Sequence, residues 1–319
     1  MIMSIRKSIR NAILTNPAAF WMWQRSLDLL FAVLGEDRAC KFWIKNKYKK
    51  VFGRPVDLEN PQTLTEKIQW MKLNIRDPFA TMLVDKYACR EYWKQFGEEG
   101  LIPLLYKTED WRDIKLENMP DVPCIVKWNS GSGSFMIVRD KNKVDYKELQ
   151  KLCKLWLKED FYKRSQEWQY KNVKPCIIIE KLLMDKNGKI PNDYKLHFIN
   201  GKLAFTYCSV DREGKNYRSI YDADWNLLPF IWVPKGTEKQ SCNDPIERPA
   251  SYERMLEIGT KIAQHFNKYI RVDFYDVDGK LYYGEITLHH GGGFDLFRPD
   301  EYDYKYGQML DLNYYNKVE

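Results

Sequence analysis

This sequence predicts an α+β fold, and two observations carry the prediction. Up to about residue 100 the apolar residues fall at helical spacing, in SLDLLFAVL, TEKIQWMKL and DKYACREYWKQF, with turns marked by GRP, NPQT and DP. From Ile102 onward, runs rich in β-branched and aromatic residues read as strands: LIPLLYK, PCIVKW, SFMIVR, KPCIIIEKLL, DYKLHFING, KLAFTYCSVDR, YIRVDFYDV and KLYYGEITL. Two helical patterns interrupt them. One is DYKELQKLCKLWLKEDFY; the other is SYERMLEIGTKIAQHF, where Ser251 suits an N-cap and Arg254 stands where a capping-box Glu would sit. Asn200-Gly201 and Asp278-Gly279 are hairpin turns, because both dipeptides tolerate the positive φ that such turns need. A helical region followed by antiparallel strands with interspersed helices is the α+β pattern.

The chain has 319 residues, enough for two domains and a sizeable core, and 44% hydrophobic with 30% charged residues excludes a disordered chain. Aromatics reach 15%, but they line cores and ligand platforms alike, so they favour no single ligand. Lys and Arg number 51 against 44 Asp and Glu, a surplus that reads as spread along the chain and favours acidic partners. No run of five like charges appears, so a nucleic-acid partner is not expected. The cysteines (Cys40, Cys89, Cys124, Cys153, Cys176, Cys208, Cys242) are odd in number and scattered without a CxxC, which reads as reduced thiols, a cytoplasmic protein and no structural zinc.

At the N-terminus Arg6, Lys7 and Arg10 precede apolar residues, as in a signal peptide. Asn11, Asn16, Gln24, Arg25 and Asp28 then interrupt the pattern, so neither a spanning helix nor a signal-peptide core is expected. Residues 1–40 read either as amphipathic helices packed on the body or as a basic, Trp-rich face peripheral to an anionic inner membrane leaflet.

Four stretches carry chemistry. In PCIVKWNSGSGSFMIVR, residues 123–139, Lys127 closes an apolar strand beside a Ser/Gly loop. An unpaired charge there is costly, so Lys127 points at something anionic, and Ser130, Gly131, Ser132 and Gly133 would let backbone N–H groups close over phosphate oxygens. The loop lacks the Walker order and opens a strand where a dinucleotide loop would open a helix. An ordinary flexible hairpin fits it as well. In CIIIEKLL, Glu180 ends an apolar run and needs a partner, either an adenine amino group, with the main chain of Lys181, Leu182 and Leu183 at the base edge, or a neighbouring Lys. In NDYKLHF, Asp193 and Lys195 share a strand face, which suits ribose and phosphate or a plain salt bridge. In YIRVDFYDVDGKLYYGEITLHHGGG, Asp273 and Glu285 lie on paired strands with Arg271 on the same face as Asp273. They form a hard-oxygen pair suited to Mg²⁺, or a set of structural charges.

In this order the stretches resemble the ATP-grasp superfamily. Its D-alanine:D-alanine ligases carry a Lys near a helix start, a strand Lys before a Gly/Ser loop, a Glu-Lys hinge, and an Arg-x-Asp strand hairpinned to a Glu strand. Here DKYACREY (Lys86), CIVKWNSGSGS (Lys127), IIIEKLL (Glu180), IRVDFY (Asp273) and GEIT (Glu285) match them. More narrowly, ENPQTLTEKIQWMKL, VDKYACREYW, IVKWNSGSGS, EWQYKN, NDYKLHFINGK, DADWNLLPF, RVDFY and GEITLHHGGG are similar to the TupA-like ATP-grasp family of cell-envelope polysaccharide clusters, named after a teichuronopeptide enzyme. That resemblance covers roughly residues 40–310.

The resemblance implies an ATP-grasp fold, two α+β lobes clasping ATP, with a helical N-terminal region. Residues 1–100 would form that region and a substrate-side lobe, 101–183 the subdomain with the phosphate loop, and 184–319 the C-terminal subdomain with the metal hairpin. The implied activity is ATP-dependent ligation of a carboxylate to an amine through an acyl phosphate, with ATP and Mg²⁺ as cofactors. Lys86 and Lys127 would meet phosphates, Glu180 adenine, and Asp193 ribose. Mg²⁺ would sit on Asp273, Glu285 and Thr287, the last standing where most relatives have Asn, which weakens the case for two ions; His289 or His290 is a candidate to compensate. Arg271 and Lys195 are the catalytic candidates, Arg271 for a tetrahedral oxyanion. Arg212 and Arg218, with His289 and His290, are candidate contacts to an acidic sugar, a uronic acid, that would be joined to an amino acid or amine.

A glycosyltransferase is the rival, with Asp222-Ala-Asp224 as a DxD metal motif. The same spacing recurs at Asp276-Val-Asp278 in a hairpin turn, and that reading leaves Lys127, Glu180, Asp273 and Glu285 without a role.

Overall fold

The computed structural model describes residues 17–214, 216–238, 245–266 and 268–312; the expectations for Arg6, Lys7, Arg10 and Cys242 lie outside the described residues. Two compact units share the chain. One holds residues up to Phe42 with Asp77–Arg90 and Ile102–Leu182; the other holds Trp43–Arg76, Glu91–Leu101 and everything from Leu183.

The first unit is built on a four-stranded antiparallel sheet of β1 (Leu104–Thr108), β2 (Cys124–Trp128), β3 (Phe135–Val138) and β4 (Ile177–Lys181), in the order β1-β4-β2-β3. Alternation sorts β2: Cys124, Val126 and Trp128 are buried, whereas Ile125 and Lys127 take the opposite face. The buried side packs with Ile177 and Ile179 against the helix Tyr146–Lys158, whose Leu149, Cys153 and Trp156 recur at i, i+4 and i+7. Asp145 caps that helix by accepting from the Lys147 and Glu148 amides. The predicted pattern runs on to Tyr162, but the chain turns at Glu159 and Asp160 starts a separate helix, Phe161–Ser165. Burial of each large apolar side chain contributes roughly 1.5–3 kcal/mol.

The second unit carries a five-stranded antiparallel sheet of β5 (Asp193–Ile199), β6 (Lys202–Val210), β7 (Tyr217–Tyr221), β9 (Ile270–Val277) and β10 (Lys280–Thr287), in the order β10-β9-β5-β6-β7. A separate ribbon pairs β8 (Ile231–Pro234) with β11 (Asp295–Arg298). Both predicted hairpins form, with φ of 48° and 73° at Asn200-Gly201 and of 52° and 85° at Asp278-Gly279. The helix Tyr252–Phe266 covers one sheet face so closely that a Cβ on Gly259 would come within 2.7 Å of the Phe198 ring. Ser251 does precede this helix, but its hydroxyl donates to Asp276 Oδ2 at 2.6 Å. A second apolar cluster joins Phe205, Phe230, Trp232 and Phe297 to the helices Leu64–Asn74 and Glu301–Met309. Thr63 and Glu66 close a capping box at the first of these.

Every run expected to be a strand contains one, and both helical patterns are helices. The sequence pattern missed β7, β8, β11 and the helix Glu301–Met309, each short and without clean periodicity.

Candidate functional site

On the four-stranded sheet, Glu180 lies opposite Ile125, and Lys127 is two residues further along β2 on the same face. Lys127 Nζ donates to Glu180 Oε2 at 2.7 Å, and Arg90 donates to Oε1 at 3.1 Å, so each carboxylate oxygen has its own cation. Charge-assisted bonds of this kind are shorter and stronger than neutral ones and give a nearly buried carboxylate a partner on each oxygen. The same face presents Phe135 and Ile137 opposite Lys127 and Ile125, and these side chains are 44% and 36% exposed. An apolar floor thus flanks an ion pair.

The Ser/Gly loop begins at Asn129, which is fully buried. Its side chain donates to Asp85 Oδ1 and the Lys174 carbonyl, both at 2.9 Å, and accepts from the Cys176 amide at 2.8 Å. Asp85 also accepts from the Tyr87 and Ala88 amides, which fixes the segment that bears Lys86. Lys86 Nζ then donates to the Gly131 carbonyl at 2.5 Å. Gly131 has φ 72°, and a Cβ there would meet the Phe161 ring at 2.6 Å, so no other residue fits. Gly133 is also left-handed, Ser130 is buried, and Ser132 is exposed at the tip. At the hinge the amides of Lys181 and Leu182 donate to the carbonyls of Pro103 and Pro123 at 3.0 Å each.

The five-stranded sheet gathers most of the remaining candidates on the face opposite the helix Tyr252–Phe266. Lys195 pairs across with Asp273, His197 with Arg271, and Asp193 with Tyr275. Arg271 grips Asp273 with both forks, Nε to Oδ1 at 2.6 Å and Nη2 to Oδ2 at 2.7 Å. Lys195 bridges Asp273, at 3.0 Å, and Asp193, and Arg212 stands 3.7 Å from Asp193 Oδ2. Burial pushes both carboxyls up, and their cations divide them. Lys195 and Arg212 outweigh burial at Asp193 and hold it below the usual carboxylate range, whereas Arg271 and Lys195 only partly offset burial at Asp273, which stays above it.

A β-bulge completes this edge. The β9–β10 register slips between Tyr283 and Ile286, so Gly284 and Glu285 together face Asp273, and a Cβ on Gly284 would lie 2.8 Å from the Asp273 carbonyl oxygen. The bulge turns Glu285 toward the cluster, with Oε2 3.9 Å from Arg271 Nη2. Thr287 Oγ1 and Asp193 Oδ1 are buried with no hydrogen-bond partner among the described residues. Unsatisfied hard-oxygen atoms beside two carboxylates are the donor set that suits Mg²⁺, which takes one or two carboxylates and leaves other positions to phosphates and water.

His290 Nδ1 lies 2.9 Å from Arg271 Nη1 and must accept, since the guanidinium only donates. Its proton therefore sits on Nε2, 3.5 Å from Asp295 Oδ2. Burial, then Arg271, keeps this imidazole neutral. His289 is buried at the head of a loop where Gly291, Gly292 and Gly293 are all left-handed. Arg218 donates to Asn216 Oδ1 at 2.6 Å at the start of β7. Sequence reasoning missed Arg90, Asn129 and Asp295; Arg90 sits four residues after Lys86, and its pairing depends on a strand ninety positions away.

The rival motif is a turn. Asp222 Oδ1 accepts from the amides of Asp224 and Asn226, and Oδ2 from the Asn226 side chain.

The family described as TupA-like ATPgrasp matches residues 66–311, most of the chain. The chain belongs to the TupA-like ATP-grasp family. As a TupA-like ATP-grasp protein it has the α+β ATP-grasp fold, preceded by N-terminal helices. No curated protein matches it. Among solved structures it is similar to D-alanine–D-alanine ligase from Bacillus anthracis, at 16% identity and TM-score 0.36 over 65% of this chain and 56% of that one. It is also similar to the ATP-grasp ligase PsnB in complex with a phosphomimetic variant of its minimal precursor, Mg and ADP, at 12% identity and TM-score 0.39 over 78% and 62%. A third is N5-carboxyaminoimidazole synthetase from Staphylococcus aureus with ADP, at 19% identity and TM-score 0.35 over 65% and 45%. The chain therefore spans less than two thirds of the length of each of these proteins.

Proposed function

We propose that this protein is an ATP-dependent carboxylate–amine ligase that joins an amino acid or amine to a uronic acid of a cell-envelope polysaccharide, in the cytoplasm. The observation that carries the reading is the buried Arg271–Asp273–Lys195–Asp193 array with Glu285 turned onto it by the bulge, in a chain of an ATP-grasp family. A purely structural salt bridge has no need of the orphaned Thr287 and Asp193 oxygens.

In this reading Lys86, Lys127 and the 130–133 loop hold ATP phosphates, Phe135 and Ile137 flank the base, and Glu180 with the main chain of Lys181, Leu182 and Leu183 meets its edge. Arg90 stays on Glu180 Oε1 once Lys127 turns to a phosphate. Asp273, Glu285 and Thr287 would hold Mg²⁺, which when bound neutralises phosphate charge. A substrate carboxylate oxygen attacks the γ-phosphorus and ADP leaves, giving an acyl phosphate. The amine nitrogen then attacks the acyl carbon, phosphate departs, and the nitrogen sheds a proton to leave an amide. Lys195 and Arg271 supply the positive charge that both steps require on oxygen. Arg212 and Arg218 would receive the acidic sugar.

The test is release of ADP and phosphate from Mg-ATP, with glucuronic or galacturonic acid crossed against a panel of amino acids. Turnover that needs both a carboxylate and an amine supports the ligase. Binding of no nucleotide, with UDP released from a nucleotide sugar instead, would sink it.

A further inference from the structure

The sequence offers His290 as a contact to an acidic sugar or as a stand-in metal ligand, but its surroundings point to a different task. The imidazole is 5% exposed and sits among rings, with centroids at 4.2 Å to Trp232, 4.9 Å to His197, which it meets edge-on, and 5.5 Å to Tyr207. A ring packed this way turns its nitrogens elsewhere only by disturbing a close-packed core. The loop that carries it is equally fixed. Gln69 Nε2 donates to the carbonyls of Gly292 and Gly293 at 3.0 and 2.7 Å, and Lys72 Nζ, itself buried, donates to Gly292 at 3.2 Å. Gly291, at φ 57°, lets the Asp295 carboxyl approach so closely that a Cβ there would stand 2.5 Å from it. The stretch TEKIQWMK, which the catalytic reading leaves without a task, thus holds the loop of His290 in place.

Arg271 shows what that rigidity serves. Its Nε and Nη2 both donate to Asp273, along one edge of the guanidinium, and Nη1 donates to His290 Nδ1 at 2.9 Å on another. A bidentate pair on a single edge leaves the plane free to hinge about that edge, and a further bond to a fixed acceptor stops the hinge. A guanidinium has five N–H groups, and three are taken by these partners, which leaves one on each Nη for an oxygen of the reacting group. The protonation of His290 fits: burial and then the Arg271 charge keep it neutral, whereas an imidazolium would face the guanidinium donor to donor.

We propose that His290 is a positioning residue for ligation: through Nδ1 it fixes the plane of the Arg271 guanidinium, so that the remaining Nη protons meet the oxygen on which negative charge develops. The inference rests on the ligase reading for the use of Arg271, and it moves His290 out of the sugar and metal contacts.

The experiment has two arms. The first needs no turnover: proton–nitrogen-15 spectra of the imidazoles of the full-length protein at about pH 5, where an ordinary histidine carries both protons. The chain has four histidines, so comparison with His290→Asn identifies the signal. His290 should keep Nδ1 bare and Nε2 protonated, and a proton on Nδ1 overturns the proposal. The second arm is steady-state ADP release from Mg-ATP with a carboxylate and an amine. His290→Leu removes the acceptor and should lower kcat by about 10–100-fold, with each KM and the Mg²⁺ requirement unchanged, because small misplacements of a positioned group cost that much. His290→Asn, whose side-chain oxygen can stand in for Nδ1, should recover most of the loss. A raised KM for the carboxylate, or a raised Mg²⁺ requirement, with kcat intact would make His290 a ligand and overturn the proposal. Equal losses in both variants that follow their melting curves would make it a core residue and overturn it too. If the natural protein turns over no carboxylate and amine while Nδ1 stays bare, the ligase reading fails and the positioning of Arg271 stands.

Discussion

On the four-stranded sheet Glu180 takes one cation on each oxygen, whereas on the five-stranded sheet Lys195, Asp193, Arg271 and Asp273 each serve two or more partners. The first arrangement can exchange a partner. Lys127 sits at a partly exposed site, 21% open, and can leave Glu180 for a phosphate because Arg90 remains behind. In the second, removing any one charge strands another that is buried, which is expensive. The difference teaches where tolerance should lie: the first sheet can lose a side chain at little cost in stability, and the second only at a cost of several kcal/mol.

The largest expected effect follows directly. Asp273→Asn leaves Arg271 and Lys195 facing a neutral amide, so ADP release should fall by about 10²–10³-fold or more, and unfolding free energy should drop by roughly 3–5 kcal/mol. Lys127→Ala should behave differently, weakening nucleotide binding about tenfold or more in calorimetry while shifting stability by no more than about 1 kcal/mol. Equal melting losses in the two variants would erase the distinction between the sheets. Arg90→Ala sharpens it further. Lys127 would then be Glu180's sole cation and less able to leave it, so ATP affinity should fall, and Arg90→Lys should restore much of it.

A smaller effect is expected with pH. Burial raises Asp295 from an ordinary 3.8 to about 7, with Lys47 and Arg271 opposing. The folded chain therefore keeps a proton between about pH 4 and 7 that the unfolded chain has released, and stability contributed by this group falls as pH rises through that window. At roughly 1.4 kcal/mol per tenfold change in acidity the loss has an upper bound of roughly 4–5 kcal/mol. Asp303, raised to about 6 by burial and held by the Thr65 amide and hydroxyl, acts in the same direction over a narrower range. Urea titrations at pH 5 and pH 8 should show a steeper decline for the natural protein than for Asp295→Asn.

The same contrast explains what was legible in the sequence. Strand alternation placed Asp193 with Lys195, and Arg271 with Asp273, on one face of their strands because a period of two needs no tertiary information, whereas the meeting of Lys127 with Glu180 depends on the β2–β4 register. Asn200-Gly201 and Asp278-Gly279 were readable for a similar reason, since their φ values belong to the dipeptide. Arg90 and Asp295 were not readable. Their importance comes from register between strands and loops far apart in the chain, and nothing in REYW or GFDLF signals a partner at Glu180 or His290. The Glu285 bulge was also hidden, although a glycine before it was its one local sign.

The smallest expected effect is the one that separates the two enzymatic readings. A DxD metal motif requires both aspartates, so Asp224→Ala in a glycosyltransferase would be as damaging as Asp222→Ala. Here the two differ in kind: Asp222 accepts three hydrogen bonds that hold a turn, while Asp224 contributes its own amide and exposes its side chain. Asp222→Ala should therefore cost about 1 kcal/mol of stability, as loss of a side-chain cap does, and Asp224→Ala should leave both the melting curve and ADP release unchanged. Loss of turnover in Asp224→Ala with nucleotide binding intact would move the chemistry away from Asp273 and Glu285, because no contact made by the Asp224 side chain could otherwise explain it.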